Sequence, residues 1–252
     1  MRVVYGVNPV RELLRAGGEG VAELWLAEGG ERSRALVALE RLAAGRGAKV
    51  RAAPRAKLDR LAGVPGHQGV VAVVADYRYR EVEELLGAAR EAGEPVLLVV
   101  LDGVEDPQNH GAVIRSADAL GAHGVVVPRD RAAGVTPAVA KASAGAVEHC
   151  PLARVTNLSR AISDLKEEGV WSVACVPDGE RELREVDLAG PTALVVGGEG
   201  QGIRDLVRRT CDHTARIPMS GRVGSLNASV AAGIALYEAA RQRRESPAAK
   251  MA

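Results

Sequence analysis

The sequence predicts an α/β protein with a small N-terminal α/β block and a larger block built on a parallel sheet. Two observations lead to this fold class. From about residue 97 onward, apolar runs typical of buried strands alternate with segments whose apolar residues recur at helical spacing, and such alternation produces a parallel sheet covered by helices. A shorter alternation occupies residues 1–75. With 252 residues, 47% of them hydrophobic, the chain is long enough to bury a substantial core.

The first block, residues 1–75, alternates short helices with short strands. Apolar residues at helical spacing predict helices over NPVRELLRAG, SRALVALERLAAGRG and AKLDRLAG. Strands are predicted over VAELWLAEG, AKVRAA and QGVVAVVA. Ser33 is expected to cap the second helix and Gly45 to end it. The charged segment 76–94 predicts a linker helix that leads into the second block.

The second block, residues 95–245, alternates strands and helices more strongly than the first. Strands are expected over VLLVVLDGV, GVVVP, VWSVACVP, TALVVGG and TARIPM. Helices are expected over HGAVIRSADALGA, TPAVAKASAGA, TNLSRAISDLKEEG, IRDLVRRTC and SLNASVAAGIALYEAARQRR, with Thr136 and Thr156 as caps. The last residues, 246–252, are expected to be a disordered tail.

Composition excludes several classes of protein. No run of about 18 apolar residues is present, so we expect no membrane span, and the N-terminus lacks the long apolar stretch of a secretory signal. The cytoplasm is therefore the expected location. Three cysteines without a CxxC pair predict reduced thiols, and five scattered histidines without ligand spacing predict that no metal is bound.

Charge is unevenly distributed, although the net charge is only +1. Residues 1–75 carry twelve Lys and Arg against seven Asp and Glu, whereas the remainder carries 21 against 25. Much of the basic excess lies in the cluster Arg46, Lys49, Arg51, Arg55, Lys57 and Arg60. Such a cluster can follow the phosphates of a nucleic acid, and a solvated charged face explains the same pattern equally well.

Three segments come directly after strands of the second block, where ligands of open α/β sheets bind. The first, LDGVEDPQNHGAVIR, places Asn109 at the start of a helix and Arg115 further along it. Taken singly, the asparagine is most simply a cap and the arginine a surface residue. Together they place an amide and a guanidinium at the mouth of one strand, and a guanidinium there suits a phosphate or a carboxylate.

The second segment, LVVGGEGQGIRDLV, carries a strand through a glycine-rich turn into a helix. Gly197, Gly198 and Gly202 allow the backbone to approach a ligand closely. The turn only weakly resembles a dinucleotide-binding fingerprint, because no acidic residue follows about twenty positions later at a strand end. Glu199 would also repel a pyrophosphate, so a ligand rich in hydroxyls or positive charge suits this turn better.

The third segment, RIPMSGRVGSLNASVAAG, carries a strand through a loop into the last helix. Ile217 and Met219 end the strand, and Ser225, Leu226 and Asn227 enter the helix, where Ser225 is expected to act as a cap. The helix then presents a small apolar face that suits close packing on another helix. That face comprises Ala228, Ala231, Ala232 and Ala235.

In this order, the three segments resemble the three motifs of the SpoU/TrmH branch of the SPOUT methyltransferases. The pattern N-x-G-A-x-x-R is matched by Asn109, Gly111, Ala112 and Arg115, and G-x-E-x-x-G by Gly197, Glu199 and Gly202. The pattern I-P-M … S-L-N-x-S-x-A is matched by Ile217, Pro218, Met219, Ser225, Leu226, Asn227, Ser229 and Ala231. YGVNPVRELL, HQGVVAVV and CPLARVTNLSRAI extend the resemblance to bacterial members that methylate a guanosine 2′-hydroxyl of 23S rRNA.

The resemblance implies transfer of a methyl group from S-adenosylmethionine to a ribose 2′-hydroxyl of RNA, with a guanosine of 23S rRNA as the expected target. It also implies that the N-terminal block binds the RNA substrate, that the C-terminal part forms a trefoil knot, and that the protein is a homodimer. The residues expected to bind the cofactor are Gly197, Gly198, Glu199, Gly202, Ile217, Met219, Ser225 and Leu226. The residues expected to act in catalysis are Arg115, Asn109, Glu199, Ser225 and Asn227.

Two points of function stay open at this stage. The resemblance implies that Arg115 activates the 2′-hydroxyl, but a guanidinium keeps its proton at neutral pH and is a poor proton acceptor. The alternative role for Arg115 is to hold a phosphate and stabilise a developing alkoxide. The alternative functions are methylation of a tRNA ribose, a non-catalytic role as an rRNA-binding assembly factor, and a nicotinamide-dependent oxidoreductase suggested only by the glycine-rich turn.

Overall fold

The computed structural model describes residues 1–17, 20–29 and 33–246. In that part of the chain the helices are α1 (Val7–Arg15), α2 (Arg34–Gly45), α3 (Arg55–Ala62), α4 (Val82–Ala92), α5 (Pro107–Ala119), α6 (Pro137–Ala142), α7 (Leu158–Glu167), α8 (Asp205–Thr210) and α9 (Ala228–Glu245). The strands are β1 (Arg2–Tyr5), β2 (Val21–Ala27), β3 (Lys49–Ala53), β4 (Val70–Val74), β5 (Leu97–Asp102), β6 (Gly124–Pro128), β7 (Leu152–Val155), β8 (Trp171–Cys175), β9 (Arg181–Glu182), β10 (Thr192–Gly197) and β11 (His213–Arg216). Of the tail 246–252, expected to be disordered, all but Ser246 lies outside the described residues.

The chain divides into two compact units, and the division is not purely sequential. The first unit contains residues 1–78 and 134–149, and the second contains residues 79–133 and the chain from 150 onward. The segment 134–149, expected within the second block, therefore belongs to the first unit. Helix α4, expected in a linker, belongs to the second unit, where its apolar face joins the core.

The first unit is a four-stranded sheet with helices, in the strand order β1-β4-β2-β3. Strands β1 and β2 both pair antiparallel with β4, and β3 pairs parallel with β2. Its core contains Tyr5, Trp25, Leu58 and Val71. Ser33 caps α2 as predicted, since its side chain accepts a hydrogen bond from the backbone N–H of Leu36.

The segment 134–149 is held to the rest of the first unit by a mostly buried ion pair and a close backbone approach. Arg2 donates to both carboxylate oxygens of Glu148, at 2.7 and 2.9 Å, and both side chains are nearly buried. Gly145 has φ +95°, and a Cβ there would lie 3.0 Å from Cα of Pro9. Glycine is therefore required at this position, both by the backbone conformation and by the available space.

The second unit is a seven-stranded sheet, entirely parallel, in the order β7-β6-β5-β10-β8-β11-β9. All six residues of β5 are buried, as its continuous apolar run predicts. The core on this sheet includes Val100, Val126, Ile162 and Val195. Strand β7 was not predicted, because its LARV sequence carries a polar residue and is short; pairing with β6 stabilises it.

Two of the predicted N-cap residues are wrong, because an asparagine one or two residues further along the chain caps the helix instead. Helix α7 is capped by Asn157, whose side chain accepts from the N–H of Arg160, and not by Thr156. Helix α9 is capped by Asn227, and not by Ser225, because the helix begins only at Ala228. In each case the side-chain oxygen of an asparagine accepts hydrogen bonds from the first free backbone N–H groups of the helix.

The small apolar face of α9 packs on another helix of the same chain, as its alanines predict. Ala228, Ala232 and Ala235 are buried within the chain, where α9 packs against α5 and β10. Among the described helices, none combines the length and the apolar character that crossing a bilayer requires. The trefoil knot expected in the C-terminal part stays a prediction.

Candidate active site

The three predicted motifs converge at the carboxyl edge of the seven-stranded sheet. Strands β5 and β10 are direct neighbours, with Asp102 opposite Gly197 at their ends. Strand β8 lies on the other side of β10, and β11 follows it. The loops that leave these strands carry the first, second and third motifs, so residues more than a hundred positions apart meet at one edge.

Asn109, Glu199 and Asn227 form a hydrogen-bonded cluster, one residue from each motif. The side-chain N–H groups of Asn109 and Asn227 donate to the same carboxylate oxygen of Glu199, over 2.6 and 2.7 Å. The Asn227 amide also donates to Oδ1 of Asn109 over 2.9 Å. The carboxylate thus receives two donors, and the three loops are held together by side chains that also face the solvent.

Helix geometry positions both asparagines of this cluster. Asp106 caps α5 and accepts from the backbone N–H of Asn109, which places Asn109 in the first turn and not at the cap. Asn227 caps α9 through Oδ1, which accepts from the backbone and hydroxyl of Ser229. Its amide N–H groups are therefore directed away from the helix and toward Glu199.

Asp102 and Arg204 form an ion pair beneath this cluster that sequence reasoning did not single out. Asp102 is almost fully buried at the end of β5, and its carboxylate accepts from the backbone N–H and from Nε of Arg204, both at 2.8 Å. A buried carboxylate needs such partners, because an unpaired one is costly. The sequence signal that could have identified this ion pair is an aspartate at the end of an apolar strand.

Glycine is required where the second motif crosses its neighbours. A Cβ on Gly198 would lie 1.9 Å from the carbonyl oxygen of Gly103, and a Cβ on Gly197 would lie 2.2 Å from the carbonyl carbon of Gly202. Both contacts are with backbone, which cannot move aside. The Gly198 N–H also donates to the carbonyl of Asp102 over 2.8 Å, so the two loops share a backbone hydrogen bond.

A cavity of about 490 Å³, which we call the glycine cavity, lies between the second and third motifs. Its lining includes all the residues predicted to bind the cofactor: Gly197, Gly198, Glu199, Gly202, Ile217, Met219, Ser225 and Leu226. Cys175 also lines it, and burial raises the pKa of this thiol to about 12, so it stays protonated and is no nucleophile at neutral pH.

A second cavity of about 420 Å³, the strand-end cavity, lies on the other side of the second motif. Asp106, Asn109, Glu199, Arg131 and Arg204 are among its lining residues. Because Glu199 lines both cavities, the hydrogen-bonded cluster separates them. A ligand in either cavity would therefore lie beside Glu199.

Arg115 and Ser225 are the predicted catalytic residues outside this cluster; Ser225 lines the glycine cavity, whereas Arg115 does not. It is exposed on α5, lines neither cavity, and has no hydrogen-bond or ion-pair partner among the described residues. His110, beside Asn109, is fully buried, and burial lowers its pKa to about 4, so it is neutral at pH 7. Within the described ranges, no group of His, Cys, Asp and Glu is arranged to hold a metal ion.

In the first unit, part of the basic cluster gathers around one tryptophan. The Lys57 amine lies 3.9 Å and the Arg51 guanidinium 5.3 Å from the ring centre of Trp25. Arg51 also pairs with Glu23, which accepts from the indole N–H. Cation–π contacts of this kind order the basic side chains on the surface.

Comparison with known proteins gives consistent results over both units. Residues 96–237 match the model of the SpoU rRNA Methylase family, and residues 3–80 match that of RNA 2'-O ribose methyltransferase substrate binding. The chain is 46% identical to a Pseudomonas syringae protein named 23S rRNA (guanosine-2'-O-)-methyltransferase RlmB, over 95% of each chain. It is also 46% identical to the putative TrmH family tRNA/rRNA methyltransferase YacO of Bacillus subtilis, again over 95% of each chain.

A solved structure shows the same fold. The SpoU methyltransferase AviRb from Streptomyces viridochromogenes, in complex with the cofactor AdoMet, is 30% identical. The alignment covers 97% of this chain and 91% of that one, with a TM-score of 0.81.

The cluster predicts that Asn109→Asp makes stability depend on pH. The variant places a second carboxylate against Glu199, and repulsion between two carboxylates so close makes one of them hold its proton to a higher pH. The folded state then holds a proton that the unfolded chain releases, so stability should fall as the pH rises from about 5 to 8. We expect a loss of about 1–2 kcal/mol at pH 8 and a smaller loss at pH 5, measured by chemical unfolding.

Asn157→Asp is the matched control, because it makes the same change at the cap of α7, where a carboxylate accepts the same N–H and is favoured by the helix dipole. Its stability should not fall between pH 5 and 8. An equal loss for Asn109→Asp at both pH values would contradict the contact between Asn109 and the Glu199 carboxylate.

Proposed function

Because the chain belongs to the SpoU rRNA methylase family, we propose that it transfers a methyl group from S-adenosylmethionine to the ribose 2′-hydroxyl of a guanosine in 23S rRNA. The observation that carries this proposal is the convergence of all three motifs on one hydrogen-bonded cluster between two cavities. A non-catalytic RNA-binding protein has no need for such an arrangement. We further propose a cytoplasmic location, where ribosomal RNA is available.

The glycine cavity suits the family's cofactor, S-adenosylmethionine. Its volume lies in the range of small-molecule sites, and it combines bare backbone at Gly197 and Gly198 with the apolar side chains of Ile217, Met219 and Leu226. When bound, the cofactor supplies an electrophilic methyl group. We assign to the glycine backbone and these side chains the task of holding it, and Ser225 supplies a hydroxyl at the cavity wall.

We assign a positioning role to the cluster itself. Glu199 receives donors from Asn109 and Asn227, so the three loops hold one arrangement, and the strand-end cavity beside them is open to a ribose. Holding the 2′-hydroxyl in line with the methyl group that it would accept can account for a large part of the rate in such transfers. Both asparagine amides donate to one carboxylate oxygen of Glu199, and we propose that the contribution of the cluster is geometric.

Arg115 is proposed to act on the RNA and not on the cofactor. Its guanidinium is exposed, without a partner among the described residues, and outside the glycine cavity. A free planar guanidinium is suited to hold a phosphate or to stabilise a developing alkoxide. The first unit is proposed to bind further RNA phosphates through its basic cluster, which includes Arg51 and Lys57.

The proposed substrate is tested by mapping ribose methylation in a strain that lacks the gene. We expect one guanosine of 23S rRNA to lose its 2′-O-methyl group and to regain it when the gene is restored. Loss of a methyl group from a tRNA would instead establish the alternative substrate, consistent with the tRNA/rRNA naming of the Bacillus subtilis relative. Loss of no methyl group, with binding of neither cofactor nor substrate ribose, would contradict the enzymatic proposal.

The role of Arg115 is tested by two substitutions. Arg115→Ala should lower the single-turnover rate by roughly 10²- to 10³-fold, as when an oxyanion donor is removed, with the affinity for S-adenosylmethionine nearly unchanged. Arg115→Lys keeps the charge and loses the planar geometry. A lysine variant with a measurable rate indicates that charge suffices, and one as inactive as alanine indicates that geometry matters. A near-normal rate for the alanine variant would refute both roles.

A homodimer is proposed on the exposed face of α9. Val230, Ile234 and Tyr237 recur at helical spacing and are 49%, 37% and 57% exposed, which is unusual for apolar and aromatic side chains along one helix face. The alanine face of the same helix is not available for a dimer, because Ala228, Ala232 and Ala235 are already buried within the chain. A two-fold pair would cover it symmetrically.

Light scattering at micromolar concentration should therefore give the mass of a dimer. Ile234→Asp should shift the protein to the monomer, because it places a charge in the centre of the covered face. Leu206→Asp, at a residue 65% exposed on α8, is the control and should leave the dimer intact. A wild-type monomer, or a dimer unaffected by Ile234→Asp, would exclude this interface.

A further inference from the structure

A third cavity, of about 360 Å³, lies beside the strand-end cavity at the same edge of the sheet. We call it the outer cavity. Arg131 and Arg204 line both cavities, so the two arginines form the boundary between them. Thr156 and Ser159 also line the outer cavity and present hydroxyl groups. The proposed reaction uses none of these four residues.

Arg204 is oriented for binding an anion. Its backbone N–H and Nε are both engaged by the buried carboxylate of Asp102. Its side chain is 42% exposed, and its two terminal amino groups have no hydrogen-bond partner in the part of the chain that the structure describes. A guanidinium whose Nε is held by one carboxylate and whose terminal amino groups are free is suited to bind a second acceptor in a defined direction.

Arg131 is held in an unusual backbone conformation at the same boundary. Its φ is +60°, in the left-handed region that costs a residue with a side chain about 1–2 kcal/mol. The side chain is exposed and, within the described ranges, has no hydrogen-bond or ion-pair partner. Packing therefore does not explain why an arginine stands here, and a strained residue of this kind beside a reaction site indicates a ligand contact.

Carboxylates outnumber the two guanidinium groups around these cavities, so a phosphate is favoured here by direct contact with the arginines and not by net charge. Asp102 and Arg204 compensate each other as one ion pair, and the hydrogen bonds that Asp106 and Glu199 accept from the neutral Asn109 add no positive charge. Glu105 and Asp130 are the remaining carboxylates at the two cavities, and both are exposed to solvent, which screens them.

We propose that Arg131 and Arg204 bind the RNA phosphate that adjoins the methylated ribose, and that the outer cavity receives the flanking nucleotide. The RNA chain then runs from the strand-end cavity across the two guanidinium groups to the hydroxyls of Thr156 and Ser159. Arginine forks and hydroxyl groups are the usual protein partners of nucleic-acid phosphates. This inference rests on the proposed function, in which the target ribose occupies the strand-end cavity.

The test measures binding of an unmodified 23S rRNA transcript by the full-length protein over a series of salt concentrations. Arg131→Gln should weaken RNA binding roughly 3- to 10-fold and lower the slope of log affinity against log salt by about 0.7–0.9, the change for one lost phosphate contact. Arg131→Lys should restore most of the slope. The affinity for S-adenosylmethionine should not change, because Arg131 does not line the glycine cavity.

Arg90→Gln is the matched control, since it removes one exposed arginine near the opposite edge of the sheet, where Arg90 pairs with Glu168 at the end of α4. It should leave the salt slope unchanged. An unchanged slope for Arg131→Gln, or equal losses for the two variants, would overturn the inference. Binding is measured independently of methylation, so failure of 23S rRNA as a methyl acceptor would contradict the proposed substrate and not the phosphate contact.

Discussion

The pairing of β5 with β10 is the constraint on which the rest of the site depends. These strands lie about ninety positions apart in the chain, yet they run side by side with Asp102 opposite Gly197. Their pairing brings the first and second motifs to the same edge of the sheet, and β8 and β11 bring the third motif beside them. Without it, the residues that bond to Glu199 would have no common location.

Close approach at this edge depends on the absence of side chains. Gly198 and Gly103 touch through their backbones, and Gly197 lies against the backbone of Gly202. Asp102 serves both sides of this arrangement, since its carbonyl accepts from Gly198 and its carboxylate orients Arg204. One buried carboxylate thus connects the strand end with the boundary between two cavities.

Much of the fold and of the cofactor cavity was predictable from the sequence, and the exceptions share a cause. The apolar runs of β5 and β10 and the amphipathic helices are local patterns, and the cavity lining follows from three contiguous motifs. The strand β7, the assignment of 134–149 to the first unit, and the pairing of Arg204 with Asp102 depend on partners distant in sequence. The caps at Asn157 and Asn227 differ from the prediction by one or two residues, because neighbouring polar residues compete for the same free N–H groups.

By itself, the sequence determined the α/β class, the family, and the residues that line the glycine cavity, because these follow from periodicity and from contiguous motifs. Only the tertiary structure decided that Asn109, Glu199 and Asn227 share hydrogen bonds and that Arg115 lies outside the glycine and strand-end cavities. It also decided that α9 buries most of its alanines and exposes Val230, Ile234 and Tyr237. The physical reason is that a side chain's partner and its exposure depend on which strands pair and which helix faces pack, and neither is recorded in the spacing of residues along the chain.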